Sequence, residues 1–201
     1  MTQVLVASRN AKKLAEMERI LRERLPEVTV VGLDDVPAYD EPVEDQPTFE
    51  GNALLKARAG VAATGLATLA DDSGLCVDAL NGMPGVLSAR WSGPPKSDER
   101  NNELLLAQLA DVPDERRGAH FLCAVALALP DGRELVVEGR MDGRVIREVR
   151  GSGGFGYDVL FEADDKPGAT TAELSIADKD AISHRGKALR EITPQVAALL
   201  R

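Results

Sequence analysis

The spacing of apolar and polar positions divides the chain into short strands and amphipathic helices. Residues 4–8 are mostly apolar and predict a first strand, beginning near Met1. Leu14, Met17, Leu21 and Leu25 then recur at helical spacing, which predicts a helix over 11–25 that Pro26 stops. Residues 28–31 read as a second strand and the acidic, proline-rich stretch 32–47 as a loop. A second helix is predicted over 49–64, with Thr48 near its start and Gly65 ending it. Strand pieces at 66–71 and 75–77 flank Asp72-Ser73-Gly74, residue types that favour turns. Residues 81–96 are rich in Gly and Pro and predict a loop, after which Ser97 caps a helix running to about residue 109. Runs at 120–129 and 134–138 around Pro130-Asp131-Gly132-Arg133 predict a hairpin. Met141-Asp142-Gly143-Arg144 predicts another turn, followed by an apolar run at 145–149. Residues 151–156 are dense in glycine and 157–161 predict a strand. Residues 183–192 begin a C-terminal helix that Pro194 breaks or restarts.

The first half therefore alternates strand and helix, and the middle is strand-rich. This predicts an α/β fold with a mixed central sheet flanked by helices, not a regular doubly wound sheet. The 201 residues suit one domain, and no internal repeat or long linker divides them. Groups of chemical interest lie far apart along the chain, so two lobes with the active-site cleft between them are expected.

Composition narrows the function classes. Aromatics are 3% of residues, so the core is to be built from Leu, Val, Ile and Ala. No stretch approaches the roughly 20 apolar residues of a membrane helix, and the first residues lack the basic and long apolar regions of a signal peptide. Cys76 and Cys123 lie in apolar surroundings without metal-ligand spacing and read as small buried hydrophobes, which suits a reducing, cytoplasmic setting. A formal net charge of −9 argues against non-specific nucleic-acid binding. It also requires that a phosphate-bearing ligand find local Lys or Arg, a metal, or a helix N-terminus.

Five segments carry candidate chemistry. Ser8-Arg9-Asn10-Ala11-Lys12-Lys13 joins a strand to a helix, where open backbone N–H groups and lysines attract anions; lysines on a solvated helix face are the plainer account. Asn52 and Lys56 are four apart, able to present an amide and an ammonium to one ligand, or simply to belong to an ordinary capped helix. Asp71-Asp72-Ser73-Gly74 is either a strand-end turn or a place where a carboxylate holds Mg²⁺ and orients water while Ser73 donates to a phosphate. If the strand continues through it, the two carboxylates go to opposite faces. Ser152-Gly153-Gly154-Phe155-Gly156-Tyr157-Asp158 offers either an aromatic on a glycine loop that stacks on a base or a glycine-rich bulge with Phe155 tucked inward. Lys179, His184 and Arg185 adjoin a helix start and supply hydrogen-bond donors, whether to a ligand or as a surface cap.

Taken together and in this order, Asp71-Asp72-Ser73-Gly74-Leu75, Phe155-Gly156-Tyr157-Asp158 and Ser183-His184-Arg185-Gly186 resemble the inosine/xanthosine triphosphate pyrophosphatase family, enzymes for non-standard purine nucleoside triphosphates. The resemblance spans nearly the whole chain. It implies Mg²⁺-dependent hydrolysis of ITP, dITP or XTP to the monophosphate and pyrophosphate, with Asp72 as catalytic carboxylate and metal ligand. Substrate contacts are implied at Ser8, Arg9, Asn10, Ala11, Lys12, Lys13, Lys56, Ser73, Phe155, Gly156, Tyr157, Asp158, Lys179, His184 and Arg185. A donor from His184 or Arg185 to O6 would favour an oxygen there over an amino group. A homodimer is also implied.

Two departures stand out: Arg9 replaces a permissive glycine, arguing against a positive φ there, and Gly51 stands where many relatives have Glu. Asp40, Glu41 and Glu44 are equal candidates for a second acidic metal ligand. Competing readings are a related pyrophosphatase for modified pyrimidine or standard triphosphates, and a nucleotide-binding regulator without turnover.

Overall fold

The computed structural model describes residues 2–26 and 28–200; Met1, at the head of the expected first strand, lies outside the described residues, as do Glu27 and Arg201. The elements are β1 (Thr2–Val6), α1 (Ala11–Arg24), β2 (Val28–Val31), α2 (Phe49–Thr64), β3 (Ala67–Val77) and α3 (Asp98–Gln108), then β4 (Gly118–Ala128), β5 (Glu134–Val145), β6 (Phe161–Ala163), α4 (Ile176–Ile182) and α5 (His184–Leu199). The sheet order is β2-β1-β3-β4-β5-β6. β1 pairs parallel with β2 and β3, and β5 antiparallel with β6, so the sheet is mixed, as the alternation of elements predicts. No helix among the described residues is long and apolar enough to cross a membrane.

Local chemistry sets several boundaries. Asn10, Thr48 and Ser97 cap α1, α2 and α3 by accepting backbone N–H groups with their side chains. Gly65 ends α2 in the left-handed conformation, at φ 70°, where a Cβ would be strained.

The chain forms two compact units. The first comprises the chain up to Asp72, residues 123–139 and the chain from His184 onward; the second comprises residues 73–122 and 140–183. In the first, Val4, Val6 and Leu69 of the sheet pack with Met17 and Leu21 of α1 and with Leu189 and Ile192 of α5. The intervening residues point the other way, towards α2: a Cβ added at Gly60 of α2 would meet Thr68 Cγ2 at 2.6 Å and Leu5 Cδ2 at 3.2 Å. Helices thus cover both faces. In the second unit, Leu75, Leu105, Leu109, Met141 and Leu160 surround an edge-on Phe121–Phe161 pair whose ring centroids are 4.7 Å apart.

Five expectations are corrected. β3 runs unbroken through Asp72-Ser73-Gly74, residues that favour turns but lie here within one strand. Met141-Asp142-Gly143-Arg144 belongs to β5 and is no turn; a Cβ at Gly143 would meet Phe161 Cζ at 2.8 Å, so this glycine serves close approach of β6. Residues 156–160 form a 3₁₀ turn and not a strand, and a further 3₁₀ turn, Gly85–Arg90, interrupts the expected 81–96 loop. α5 continues through Pro194, because Ala188, Leu189, Ile192 and Val196 are buried on either side of it. α4 was not anticipated, since it buries no residue and carries no apolar stripe.

α5 lies close against β5 at Gly139, where an added Cβ would meet Ala188 N at 2.6 Å and also the carbonyl of His184. Gly139→Ala is expected to lower the urea unfolding stability by about 2–3 kcal/mol through overpacking. An unchanged unfolding midpoint would show that the two elements can separate without cost.

Candidate active site

The continuity of β3 decides the chemistry of its two aspartates. Ala67, Leu69 and Asp71 share the face covered by α1 and α5, whereas Thr68 and Asp72 share the face covered by α2. Adjacent carboxylates therefore enter separate environments.

Asp71 is the anchor of a buried ionic cluster. It is 1% exposed, and its Oδ2 accepts from Lys13 Nζ at 3.0 Å and from Arg185 Nε at 3.1 Å. Arg185, 2% exposed, also donates through Nη1 to Glu16 Oε2 at 2.6 Å. Burial alone would raise the Asp71 carboxyl, but Lys13, Arg185 and Lys56 outweigh it and hold the group well below the usual carboxylate range. Burial likewise opposes the Arg185 charge, and Asp71, Cys123 and Glu16 more than restore it. Cys123 Sγ lies 3.9 Å from Asp71 Oδ2; burial and that carboxylate push the thiol up to about 12, so it stays protonated and inert. Arg185 was expected to donate to a base, but its Nε and Nη1 are committed to Asp71 and Glu16.

Asp72 faces α2. Its Oδ2 accepts from Asn52 Nδ2 at 3.0 Å, and its Oδ1 lies 3.9 Å from Lys56 Nζ. Asn52 Oδ1 in turn accepts from the Gln46 backbone N–H at 3.0 Å, which sets the orientation of the amide. Lys56 Nζ donates to Glu44 Oε1 at 2.7 Å, so one ammonium stands between two carboxylates. Burial and then Glu44 raise the Asp72 carboxyl above its ordinary value, outweighing Lys56, Asn52 and Lys13. Lys56 is shifted upward despite burial, by Asp71, Asp72 and Glu44.

Among Asp40, Glu41 and Glu44, the structure therefore brings Glu44 to Asp72, while Glu41 pairs with Arg9. The glycine at 51 has a local reason: a Cβ there would meet Gln46 Cβ at 2.8 Å, within the loop that carries Glu44. Lys56 adjoins Asp72 as expected; Lys13 engages Asp71 instead.

At the start of α1 the amides expected to cradle an anion already have an acceptor. Asn10 Oδ1 takes Lys12 N at 3.1 Å and Lys13 N at 3.2 Å, and Ser8 Oγ takes Asn10 N at 3.3 Å. Arg9 is exposed and has no positive φ, as its side chain requires. Ala11 and Lys12 are exposed, and Lys13 is half-buried. Ser73 follows Asp72 on β3 and is half-buried; His184 is buried at the first turn of α5.

The glycine loop of the second unit is held from several sides. Asp158 is its hub: Oδ2 accepts from Lys179 Nζ at 2.5 Å and from Phe155 N at 2.8 Å, and Oδ1 accepts from Thr171 Oγ1 at 2.8 Å. Tyr157 is buried and donates its hydroxyl to Ser88 O at 2.9 Å; burial, then Asp98, raise its phenol. Asp158 and Tyr157 thus position the loop, while Phe155 is half-buried with Lys179 Nζ 5.2 Å from its ring centroid.

Sequence reasoning missed Glu16, Ser88, Asp98, Asn102 and Thr171 as parts of these networks. Only Asp98 and Asn102 left a trace, their four-residue spacing on a capped helix. The others are isolated polar residues paired by tertiary folding.

These features define a mixed α/β protein with a carboxylate–lysine site on its sheet and a separate aromatic loop pinned by hydrogen bonds. The family model that matches residues 4–195 is described as the Ham1 family, and the chain belongs to that family. A Nocardia farcinica protein named dITP/XTP pyrophosphatase is 62% identical over 200 residues, covering 99% of this chain and 97% of that protein. The protein of that name from Mycolicibacterium paratuberculosis is 58% identical, covering 100% and 98%. Among solved structures, that of a nucleoside-triphosphatase, dITP/XTP pyrophosphatase, from Mycobacterium abscessus is 56% identical with TM-score 0.79, covering 96% of this chain and 100% of that one. The Staphylococcus aureus Ham1 protein is 36% identical with TM-score 0.87, covering 98% and 100%.

Asp71→Asn leaves two buried cations short of a counter-charge, so unfolding stability at pH 7 is expected to fall by about 3–5 kcal/mol. Because the folded carboxyl titrates below the ordinary Asp value of about 3.9, its contribution is complete above that pH and is lost as pH falls. The gap between parent and variant should narrow by about 1 kcal/mol by pH 3 in urea titrations. An equal gap at both pH values would show that charge is not what Asp71 supplies.

Proposed function

We propose that this chain hydrolyses deaminated purine nucleoside triphosphates, ITP, dITP and XTP, to the monophosphate and pyrophosphate. Full-length similarity to proteins named dITP/XTP pyrophosphatase supports the reaction. The observation that carries the residue assignment is Asp72, held by Asn52 and set beside Lys56 and Glu44.

Triphosphate handling is assigned to the residues around Asp72 and to the head of α1. Lys56 Nζ and Lys13 Nζ counter the phosphate charge, each with donors beyond the carboxylate it already holds. Asn52 orients the Asp72 carboxylate, which positions a water towards the α-phosphorus and accepts its proton; pyrophosphate is the leaving group. Among the described residues no three acidic, His or Cys side chains converge as a ready cage for a metal ion. Asp72 and Glu44 nevertheless fit Mg²⁺, which takes hard oxygen ligands and commonly only one or two carboxylates beside substrate phosphates. When bound there it supplies Lewis-acid neutralisation of phosphate charge. Ser73, beside Asp72 on β3, and Ser8 to Lys12 at the head of α1 are further proposed phosphate contacts.

Base recognition is assigned to Phe155, Lys179 and His184. Phe155 supplies a stacking surface, worth about 1–3 kcal/mol per base. Lys179 Nζ beside that ring donates to an oxygen on the base, where an amino group would meet a donor and leave buried groups unpaired. His184 is a further proposed donor. We place the protein in the cytosol, where Cys76 and Cys123, both free thiols, remain reduced. A homodimer is proposed on the exposed Met83 with the half-buried Val86 and Trp91.

Pyrophosphate release from ITP, dITP, XTP, GTP, ATP, dUTP and dTTP, with and without Mg²⁺, tests the reading. kcat/KM for the deaminated purines is expected to exceed that for ATP by at least about 100-fold; preference for dUTP or dTTP would transfer the chain to pyrimidine chemistry, and no release to a binding role. Asp72→Asn should keep the parent's unfolding midpoint while kcat falls by about 100-fold or more. Parent-like turnover with excess Mg²⁺ would remove Asp72 from catalysis.

A further inference from the structure

The loop that carries Phe155 is gripped by α3 at one residue. Gly156 N donates to Asp98 Oδ2 at 2.7 Å, and Asn102 Nδ2 donates to Gly156 O at 3.0 Å. Both backbone groups of Gly156 are thus bound, one by an acceptor and one by a donor, from side chains four residues apart on one helical face. Gly156 has φ 62°, a conformation in which non-glycine residues are uncommon, so the chain direction leaving Phe155 depends on what holds this peptide.

Packing alone does not account for the pair. Asn102 is buried, and its Oδ1 lacks a hydrogen-bond partner, a penalty that an apolar residue of similar shape would avoid. Its compensation is the bond to Gly156 O. Asp98 is exposed, with its charge-assisted bond directed back at the loop. α3 itself is firmly seated: Ser97 caps it, Leu105 and Leu109 are buried in the core, and Asn101 bonds Ser92 N through Oδ1 and Ser88 O through Nδ2. Ser88 O also accepts from Tyr157, so the residue after Gly156 is tied to the same framework. A rigid helix holding a loop from two positions defines a side chain better than the loop could alone.

We infer that Asp98 and Asn102 are positioning residues for base recognition, fixing the Gly156 peptide and through it the stacking face of Phe155. The inference rests on Phe155 as the base contact. Its consequence is that discrimination between bases is set partly from α3, by residues that touch no substrate.

The test combines kinetics with amide hydrogen exchange in the substrate-free protein. Asp98→Ala is expected to raise KM for ITP about tenfold, the scale of one lost charge-assisted hydrogen bond, with the loss falling on KM and not on kcat. The ITP-to-ATP ratio of kcat/KM should shrink with it, and the Gly156 amide should exchange faster. Asp98→Asn keeps an acceptor and should restore most of the KM, the base ratio and the amide protection. Asn102→Ala in the Asp98→Ala background should add less than its effect alone, since both hold one peptide. Faster Gly156 exchange with unchanged KM and base ratio, when Phe155→Ala does alter them, would overturn the inference while leaving the base contact standing. If Phe155→Ala alters neither, the base assignment itself fails. Equal loss in Asp98→Ala and Asp98→Asn would overturn the hydrogen-bond role.

Discussion

The alternation of side chains along an unbroken β3 is the constraint on which the site depends. Because successive residues leave a strand on opposite faces, Asp71 and Asp72 are neighbours in sequence but not in environment. Asp71 neutralises buried Lys13 and Arg185 and ties α1 and α5 to the sheet. Asp72 meets α2 and keeps a raised carboxyl suited to proton transfer. The two adjacent acids are displaced in opposite directions, Asp71 downward and Asp72 upward.

The same separation bears on how a chain of net charge −9 could offer the proposed phosphate site. Lys13 and Lys56 are not surplus cations awaiting a ligand; each already holds a carboxylate, at 3.0 and 2.7 Å. Their charge is thereby located before substrate arrives, and side-chain entropy is not all lost on binding. The ionic cluster around Asp71 has a desolvation cost that apolar packing would not carry. Its return is the placement of Lys13.

In the second unit, positioning is done largely through backbone groups. Asp158 takes the Phe155 amide, α3 takes both groups of Gly156, and Tyr157 reaches the carbonyl of Ser88. Glycines that leave the loop conformationally permissive are offset by hydrogen bonds that remove that freedom. The aromatic ring is left as the side chain the loop presents. Gly156, Tyr157 and Asp158 all take part in the hydrogen bonds that hold the loop.

Much of this protein was legible in its residues alone. The apolar periodicity located α1, and the alternation of strand and helix the mixed sheet, because burial of one helical face leaves a repeat that needs no partner to be read. Thr48, Ser97 and Gly65 announced their helix ends because capping is local. The motifs around Asp72, Phe155 and His184 together indicated the family. What only the tertiary structure decided were the pairings across long sequence separations: Glu44 with Lys56, Arg185 with Asp71 and Glu16, Gly156 with Asp98 and Asn102. Turn-forming residues at 72–74 and 141–144 were likewise overruled by neighbouring strands, and Pro194 by the burial of α5. The physical reason is common to all of them. A hydrogen bond or ion pair between distant residues leaves no periodic mark along the chain, and its partner exists only once the backbone has brought the two groups within about 3 Å.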